Sequence, residues 1–324
     1  MKVLITATSF SEVTKEPEER LLEAGYEVVH NPYGRPMTAA EVAPLLEGVD
    51  GCAAGVDDFS APAFTRASQL KLIVKHGAGV DNIDIAECTR RGIVVANVPG
   101  ANAEAVADMA LALMLSVARH IPEGDRTTKA GKWVNTYGVD LHQATVGLLG
   151  LGRIGKGMAR RCRGFDARVL AYDPYFDEAW AGENGVERAE SLEQVMREGD
   201  FVSIHMPSTA ETRKAINAEK IALMKPTAIL VNTARGAIVD EDALAEALEE
   251  GRIFGAGLDV YATEPPTESR LLKCERAVTM PHVSSNTPGA LLAMGNGCVD
   301  AIVAAFEGER PNHVVNPDVY GAPS

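Results

Sequence analysis

The sequence predicts an α/β protein with two doubly wound parallel sheets, and three observations carry that expectation. Short apolar runs alternate with helix-like segments along the first hundred residues. In mid-chain a glycine-rich turn, Gly150-Leu151-Gly152-Arg153-Ile154-Gly155, follows a buried strand and opens a helix, and the alternation then resumes. The length, 324 residues, exceeds what one hydrophobic core usually serves, so two domains are expected.

In chain order, the pattern places strands at residues 3–7, 26–30, 51–54, 70–74 and 93–96, with helices at 16–24, 38–46 and 83–91. Across 102–120, Val106, Met109, Ala110, Leu113, Met114 and Val117 recur at helical spacing, and this helix reads as the crossing from the first domain to the second. Residues 121–143 read as irregular; their Trp133 and Tyr137 fit either core packing or an oligomer contact. Strands follow at 146–149, 168–172, 201–205, 228–231 and 254–260, with helices near 192–197, 218–224 and 242–250, making a sheet of about six parallel strands. The last helix, 289–306, sets Leu292, Val299, Ile302, Val303 and Phe306 on one face, although Gly295 and Gly297 weaken it. If it packs back on the first domain, that domain is discontinuous: 1–99 with 286–324, around a second domain at 100–285.

Composition narrows the function. Hydrophobic residues at 46% and charged ones at 23% are ordinary for a globular protein. A formal charge of −14 argues against nucleic acid or an anionic membrane as partner, so an anionic substrate needs a locally positive pocket. Cys52, Cys88, Cys162, Cys274 and Cys298 form no CxxC and no Cys/His cluster, which points to no metal site, no disulfide framework and a reducing compartment. Residues 1–6 enter a strand-like run without a secretory signal. The longest apolar segment, around 106–117, contains Asp108 and stops at Arg119, so no membrane span is expected. The expectation is a soluble, cytoplasmic protein.

The mid-chain turn carries the first chemistry. Gly150 permits the tight bend, Gly152 keeps a side chain out of the way of a pyrophosphate, and Gly155 lets the new helix press on the strand. A pyrophosphate then meets the free N–H groups at the positive end of the helix. Eighteen residues after Gly155, Asp173 ends the run 168–172, where a carboxylate can grip a ribose 2′-hydroxyl. No arginine follows it to hold a 2′-phosphate, which favours NAD over NADP. Asp173 also fits a plain strand-end turn before Pro174.

A nicotinamide site requires groups that hold a substrate carboxylate and move a proton. Arg235, in Asn232-Thr233-Ala234-Arg235-Gly236, Glu264, in Ala262-Thr263-Glu264-Pro265-Pro266, and His282, after Met280-Pro281, all follow strands, and ligands of such sheets bind beyond the carboxyl ends of strands. A guanidinium can pair bidentately with a carboxylate, an imidazole can exchange a proton near neutral pH, and a neighbouring carboxylate orients the ring. Singly, each has a plainer reading: a loop charge, a solvated residue before prolines, a surface or capping histidine. Spacing alone does not select His282 among seven histidines.

Taken in order, Gly150–Gly155, His205-Met206-Pro207, Asn232–Gly236, Gly257-Leu258-Asp259-Val260-Tyr261 with Glu264-Pro265, and Pro281-His282 resemble the D-isomer-specific 2-hydroxyacid dehydrogenases, from about residue 70 to 306, with the phosphoglycerate dehydrogenase branch most similar. The resemblance implies a Rossmann-type cofactor domain inserted in a flavodoxin-like substrate domain. It further implies Arg235, Glu264 and His282 as the catalytic set, and Gly150, Gly152, Arg153, Ile154, Gly155, Asp173, His205, Pro207, Thr212, Thr233 and Asp259 around NAD, with Asp259 on the nicotinamide carboxamide. The stretch Lys75-His76-Gly77-Ala78-Gly79-Val80 resembles the family's substrate loop, whose backbone N–H groups hold the carboxylate; Gly77 and Gly79 allow the backbone to face a ligand. Lys75 stands where that branch has an arginine for the substrate phosphate, and Met280 replaces the usual threonine before Pro281-His282. A C-terminal regulatory domain is not expected.

The reading is therefore an NAD-dependent oxidoreductase interconverting a D-2-hydroxy acid and its 2-oxo acid, with 3-phosphoglycerate, hydroxypyruvate, glyoxylate and larger 2-oxo acids as candidate substrates. The two domains are expected to close over a cleft. The resemblance also implies a homodimer through the cofactor domain, using the helix from Asn102 and the Trp133 region. The rival reading is an NAD(H)-sensing binding protein on the same scaffold without turnover.

Overall fold

The computed structural model describes residues 1–321, so the end of the expected 286–324 segment, residues 322–324, lies outside the described residues. The chain divides into two compact units: Met1–Asn102 with the stretch from Ser285 onward, and Ala103–Ser284. The first unit begins β1 Lys2–Ile5, α1 Glu16–Glu23, β2 Glu27–His30, α2 Ala39–Leu45, β3 Gly51–Ala54, β4 Leu72–Lys75, α3 Ile85–Arg90 and β5 Val94–Asn97. Its strands pair in parallel in the order β2-β1-β3-β4-β5. β3 and β4 are buried at every position, as befits central strands of a sheet covered on both faces.

The second unit runs α4 Ala103–Ala118, α5 Ile121–Lys129, β6 Thr145–Leu149, α6 Arg153–Arg163, β7 Arg168–Tyr172, α7 Glu178–Asn184, β8 Val186–Arg188, α8 Leu192–Glu198, β9 Phe201–Ile204, α9 Ala218–Ile221, β10 Ile229–Asn232, α10 Glu241–Glu249, β11 Gly255–Leu258 and β12 Ala277–Thr279. Among the described residues its sheet has seven parallel strands, ordered β12-β11-β10-β9-β6-β7-β8. The order reverses between β6 and β9, the switch point at which such sheets bind ligands. The seventh strand exceeds the expected six. β8 and β12, three residues each at the two edges, are too short to show a period in sequence.

Residues 121–143 are not irregular throughout. Ile121–Lys129 is a helix with proline in its first turn, but none of its residues is buried, so no apolar period announced it. Trp133 and Tyr137 beyond it are 92% and 85% exposed, which removes core packing within this chain as their role.

The last helix, α11 Pro288–Phe306, belongs to the first unit, where Cys298, Val299 and Ile302 pack with Val3, Ile5 and Leu72. Its glycines mark close approach: a Cβ on Gly295 would lie 2.7 Å from Pro17 Cγ, and one on Gly297 2.4 Å from Val98 Cγ1. Contrary to the expectation, this helix is long and apolar enough to cross a membrane by composition. Its apolar side is nevertheless occupied by the core, and its Asp300 pairs with Arg20 at 2.7 Å.

Candidate active site

The glycine turn is built as its three positions require. Gly150 has φ +104°, and a Cβ there would meet the His205–Met206 backbone at 2.8 Å; a Cβ on Gly155 would lie 2.2 Å from Gly150 O. Both glycines serve the fold. Gly152 is the N-cap of the eleven-residue α6, and a Cβ added there would have nothing within 4 Å, so open space lies beside the helix start. Arg153 is exposed and Ile154 half-buried. Asp173 accepts from Leu151 N at 2.7 Å and from Tyr175 N at 2.8 Å, so it ties the end of β7 to the glycine turn as well as capping its own turn. Each carboxylate oxygen keeps capacity for a second donor such as a ribose hydroxyl.

Polar atoms without partners lie at the ends of the neighbouring strands. His205, just past β9, is half-buried as a residue, but both ring nitrogens are shielded from solvent and unpaired, and burial pushes its pKa down to about 4. Thr233 Oγ1, just past β10, is likewise buried and unpaired. Unpaired buried polar atoms are costly, so a polar ligand that reached them would be favoured. With the open face of Gly152, these residues fit a dinucleotide. Pro207 is exposed, and its carbonyl accepts from Thr212 Oγ1 at 2.6 Å, so Thr212 shapes the 207–212 turn.

β10, β11 and β12 deliver the charged groups. Asn232, 1% exposed, accepts from Ala234 N at 3.0 Å and donates to Arg235 O at 2.9 Å, folding the turn that presents Arg235, while Arg235 Nη1 donates to Ala234 O at 2.7 Å. His282 Nδ1 lies 2.7 Å from Glu264 Oε2, and Tyr261 N donates to Glu264 Oε1 at 3.0 Å. Burial raises the Glu264 carboxyl, but the hydrogen bond and charge of His282, the Tyr261 N–H and the charge of Arg235 together hold it below its ordinary value. The carboxylate is thus ionised at neutral pH, His282 Nδ1 carries the proton between them, and Nε2 is left for exchange with a substrate.

His282 holds φ +55°, a left-handed backbone that costs a non-glycine residue about 1–3 kcal/mol and persists only where the surroundings over-determine it. Asp259 supplies the constraint. Fully buried, it accepts from Val283 N at 2.9 Å, from Ser284 N at 2.8 Å and from Ser284 Oγ. Its carboxylate is thus engaged by the turn after His282. Tyr261 adds a second tie, its hydroxyl donating to Met280 O at 3.0 Å two residues before His282. Asn232, Tyr261 and Ser284 were not singled out in the sequence. Only Asn232 left a local signal, an asparagine at a strand end two residues before a turn N–H.

The first unit holds Lys75, Gly77, Ala78, Gly79 and Val80. Gly77 has φ +140°, and among the described residues no hydrogen bond engages the N–H groups of Ala78, Gly79 and Val80, as an anion loop requires. Lys75 is 7% exposed and donates to Gly55 O at 2.5 Å and Asn82 Oδ1 at 3.0 Å, and Asn82 Nδ2 donates to Gly55 O and Asp57 O. Its ammonium ties the loop after β3 to the loop after β4. Neighbouring His76, 8% exposed with Nε2 unpaired, is pushed down to about 4 by burial and the charge of Lys75. Among the described residues no His/Cys/Asp/Glu group could hold a metal ion.

Fold, switch-point turn and paired imidazole define a nucleotide-dependent oxidoreductase. Residues 111–284 match the family model described as D-isomer specific 2-hydroxyacid dehydrogenase, NAD binding domain. The glyoxylate reductase of Korarchaeum cryptofilum is 42% identical over 286 residues, 85% of this chain and 86% of that one. The D-3-phosphoglycerate dehydrogenase of Methanocaldococcus jannaschii is 40% identical over 78% of this chain, which spans about half (48%) of that relative's length. Among solved structures, D-lactate dehydrogenase from Aquifex aeolicus complexed with NAD and lactic acid superposes with a TM-score of 0.85 at 27% identity, covering 99% of this chain and 100% of that one. The chain belongs to the D-isomer-specific 2-hydroxyacid dehydrogenase family of enzymes, and its second unit carries the NAD-binding domain.

Proposed function

We propose that this enzyme reduces a small, unphosphorylated 2-oxo acid of the glyoxylate or hydroxypyruvate class to its D-2-hydroxy acid, and catalyses the reverse. Bound NADH supplies the hydride that reaches C2. His282, as an imidazolium stabilised by Glu264 at 2.7 Å, gives the accompanying proton from Nε2 to the carbonyl oxygen and is left neutral, its remaining proton on Nδ1 toward the carboxylate. Arg235 pairs with the substrate carboxylate, and the N–H groups of Ala78, Gly79 and Val80 are further donors for it. Gly152, Arg153 and Ile154 would hold the pyrophosphate on the turn that Gly150 and Gly155 shape, Asp173 the adenine ribose, and His205, Pro207, Thr212, Thr233 and Asp259 would border the nicotinamide side. The Asp173 carboxylate favours NAD over NADP by repelling a 2′-phosphate.

One observation carries the choice of substrate. The ammonium of Lys75, which would meet a substrate phosphate, is buried and directed at Gly55 O and Asn82 Oδ1. NADH oxidation followed by absorbance across glyoxylate, hydroxypyruvate, pyruvate and 3-phosphohydroxypyruvate tests the reading. The first two are expected to give the highest kcat/KM, and dominance of the phosphorylated acid overturns it. The rival, NAD(H) sensing without catalysis, corresponds to tight NADH binding with no turnover of any acid, an outcome against which the Glu264–His282 pair speaks.

We also propose a homodimer formed through the second unit. Trp133, Val134 and Tyr137, 92%, 51% and 85% exposed, are apolar area that a second copy would cover. Gel filtration at micromolar concentration should give twice the mass of 34.4 kDa, and a monomer contradicts the proposal.

A further inference from the structure

We propose that Glu241, which lies outside the Arg235, Glu264 and His282 set, is a positioning residue that fixes Glu264 against the Arg235 turn and so sets the orientation of His282. The inference rests on the proposed roles of those three residues.

Glu241 is half-buried in the first turn of α10. Its Oε1 accepts from Ala262 N at 2.5 Å and its Oε2 from Ser269 Oγ at 2.8 Å. Ala262 and Ser269 flank Glu264 on either side, in a segment without helix or strand. One carboxylate therefore pins both shoulders of the loop that carries the histidine's partner. Besides the Glu264–His282 pair and the Tyr261 hydroxyl on Met280 O, the loop's remaining hydrogen bonds near Glu264 are internal: Tyr261 N to Glu264 Oε1, Thr267 N to Pro265 O and Ser269 N to Pro266 O. They shape the loop without anchoring it.

The same segment that brings Glu241 also brings Arg235. Gly236, between them, lies against the Tyr261–Ala262 peptide so closely that a Cβ on it would fall 1.9 Å from Tyr261 C. Backbone contact at Gly236 and the carboxylate clamp at Glu241 thus hold the same Tyr261–Ala262 peptide, setting where Glu264 stands relative to Arg235. A carboxylate accepting two hydrogen bonds through separate oxygens is more directional than packing, and misplacing a catalytic partner by about 1 Å can cost two orders of magnitude in rate.

The test uses Glu241→Gln, Glu241→Ala and Ser269→Ala, each alone and combined with Glu264→Gln, with NADH and glyoxylate. Glu241→Ala should lower kcat about tenfold or more and leave the NADH dissociation constant, read by fluorescence, unchanged. Glu241→Gln, which keeps one acceptor, and Ser269→Ala, which removes one bond, should fall between. In the Glu264→Gln background Glu241→Ala should cost little more, because the group it positions is already gone. Equal losses in both backgrounds overturn the inference. If Glu264→Gln alone leaves turnover intact, the catalytic reading itself fails. Amide exchange of segment 261–269 in the protein without cofactor gives a readout independent of activity. It should speed up in Glu241→Ala and Ser269→Ala, and unchanged exchange in both overturns the clamp.

Discussion

The loop after β4 in the first unit and the loops after β10 and β11 in the second all leave their sheets at the carboxyl end, yet they present different chemistry. After β4 the available groups are backbone N–H donors from Ala78 to Val80, while the one strong cation, Lys75, is turned inward to join two loops. After β10 and β11 side chains are presented and the backbone is consumed in supporting them: Asn232 folds the Arg235 turn, Tyr261 N holds Glu264, and Asp259 holds the turn after His282. The lesson is that parallel strand ends converge on ligands in either way. Backbone donors suit a fixed anion, and side chains suit the step in which a proton moves.

The largest effect expected from breaking this contrast is at His282. Replacement by Ala should lower kcat about 10²- to 10⁴-fold with NADH affinity nearly unchanged, and turnover retained at wild-type level removes His282 from the proton-transfer role. Next come two glycines of one turn. Gly155→Ala puts a Cβ 2.2 Å from Gly150 O and should fail to fold or lose several degrees of Tm, whereas Gly152→Ala, with nothing within 4 Å, should keep its Tm and weaken NADH binding about tenfold. Equal Tm losses for the two would refute the division between fold and ligand.

In the first unit, Lys75→Met strands the Gly55 and Asn82 oxygens and should cost about 1–3 kcal/mol of stability in denaturant titration. A change confined to substrate KM would place the ammonium at the ligand instead. The smallest effect is shared by the two units. His76 and His205 each have a folded pKa near 4 against an ordinary 6.5, so the unfolded chain takes up protons first as pH falls. The stability from each is present above pH 6.5 and is lost progressively toward about 4. His76→Phe or His205→Gln should flatten the decline in Tm between pH 7 and 5, and an unaltered slope shows that the ring in question does not resist protonation.

By itself the sequence determined the two parallel sheets, because apolar runs buried on both faces and glycines at a strand-to-helix bend are local necessities. Periodicity also found α4 and α11, whose buried stripes are long. It missed α5, none of whose residues is buried, and the three-residue strand β8, while β12 was implied only by placing His282 at a strand end. The spacing of Arg235, Glu264 and His282 gave no preference among seven histidines, and only their ordered motifs singled them out. Tertiary structure alone decided that Glu264 and His282 meet at 2.7 Å, that Asp259 holds the left-handed turn at His282, and that Glu241 reaches across to Ala262 and Ser269. Those contacts join residues about 20 to 30 positions apart, and a hydrogen bond between side chain and distant backbone depends on where two strands end in space, which no local period encodes.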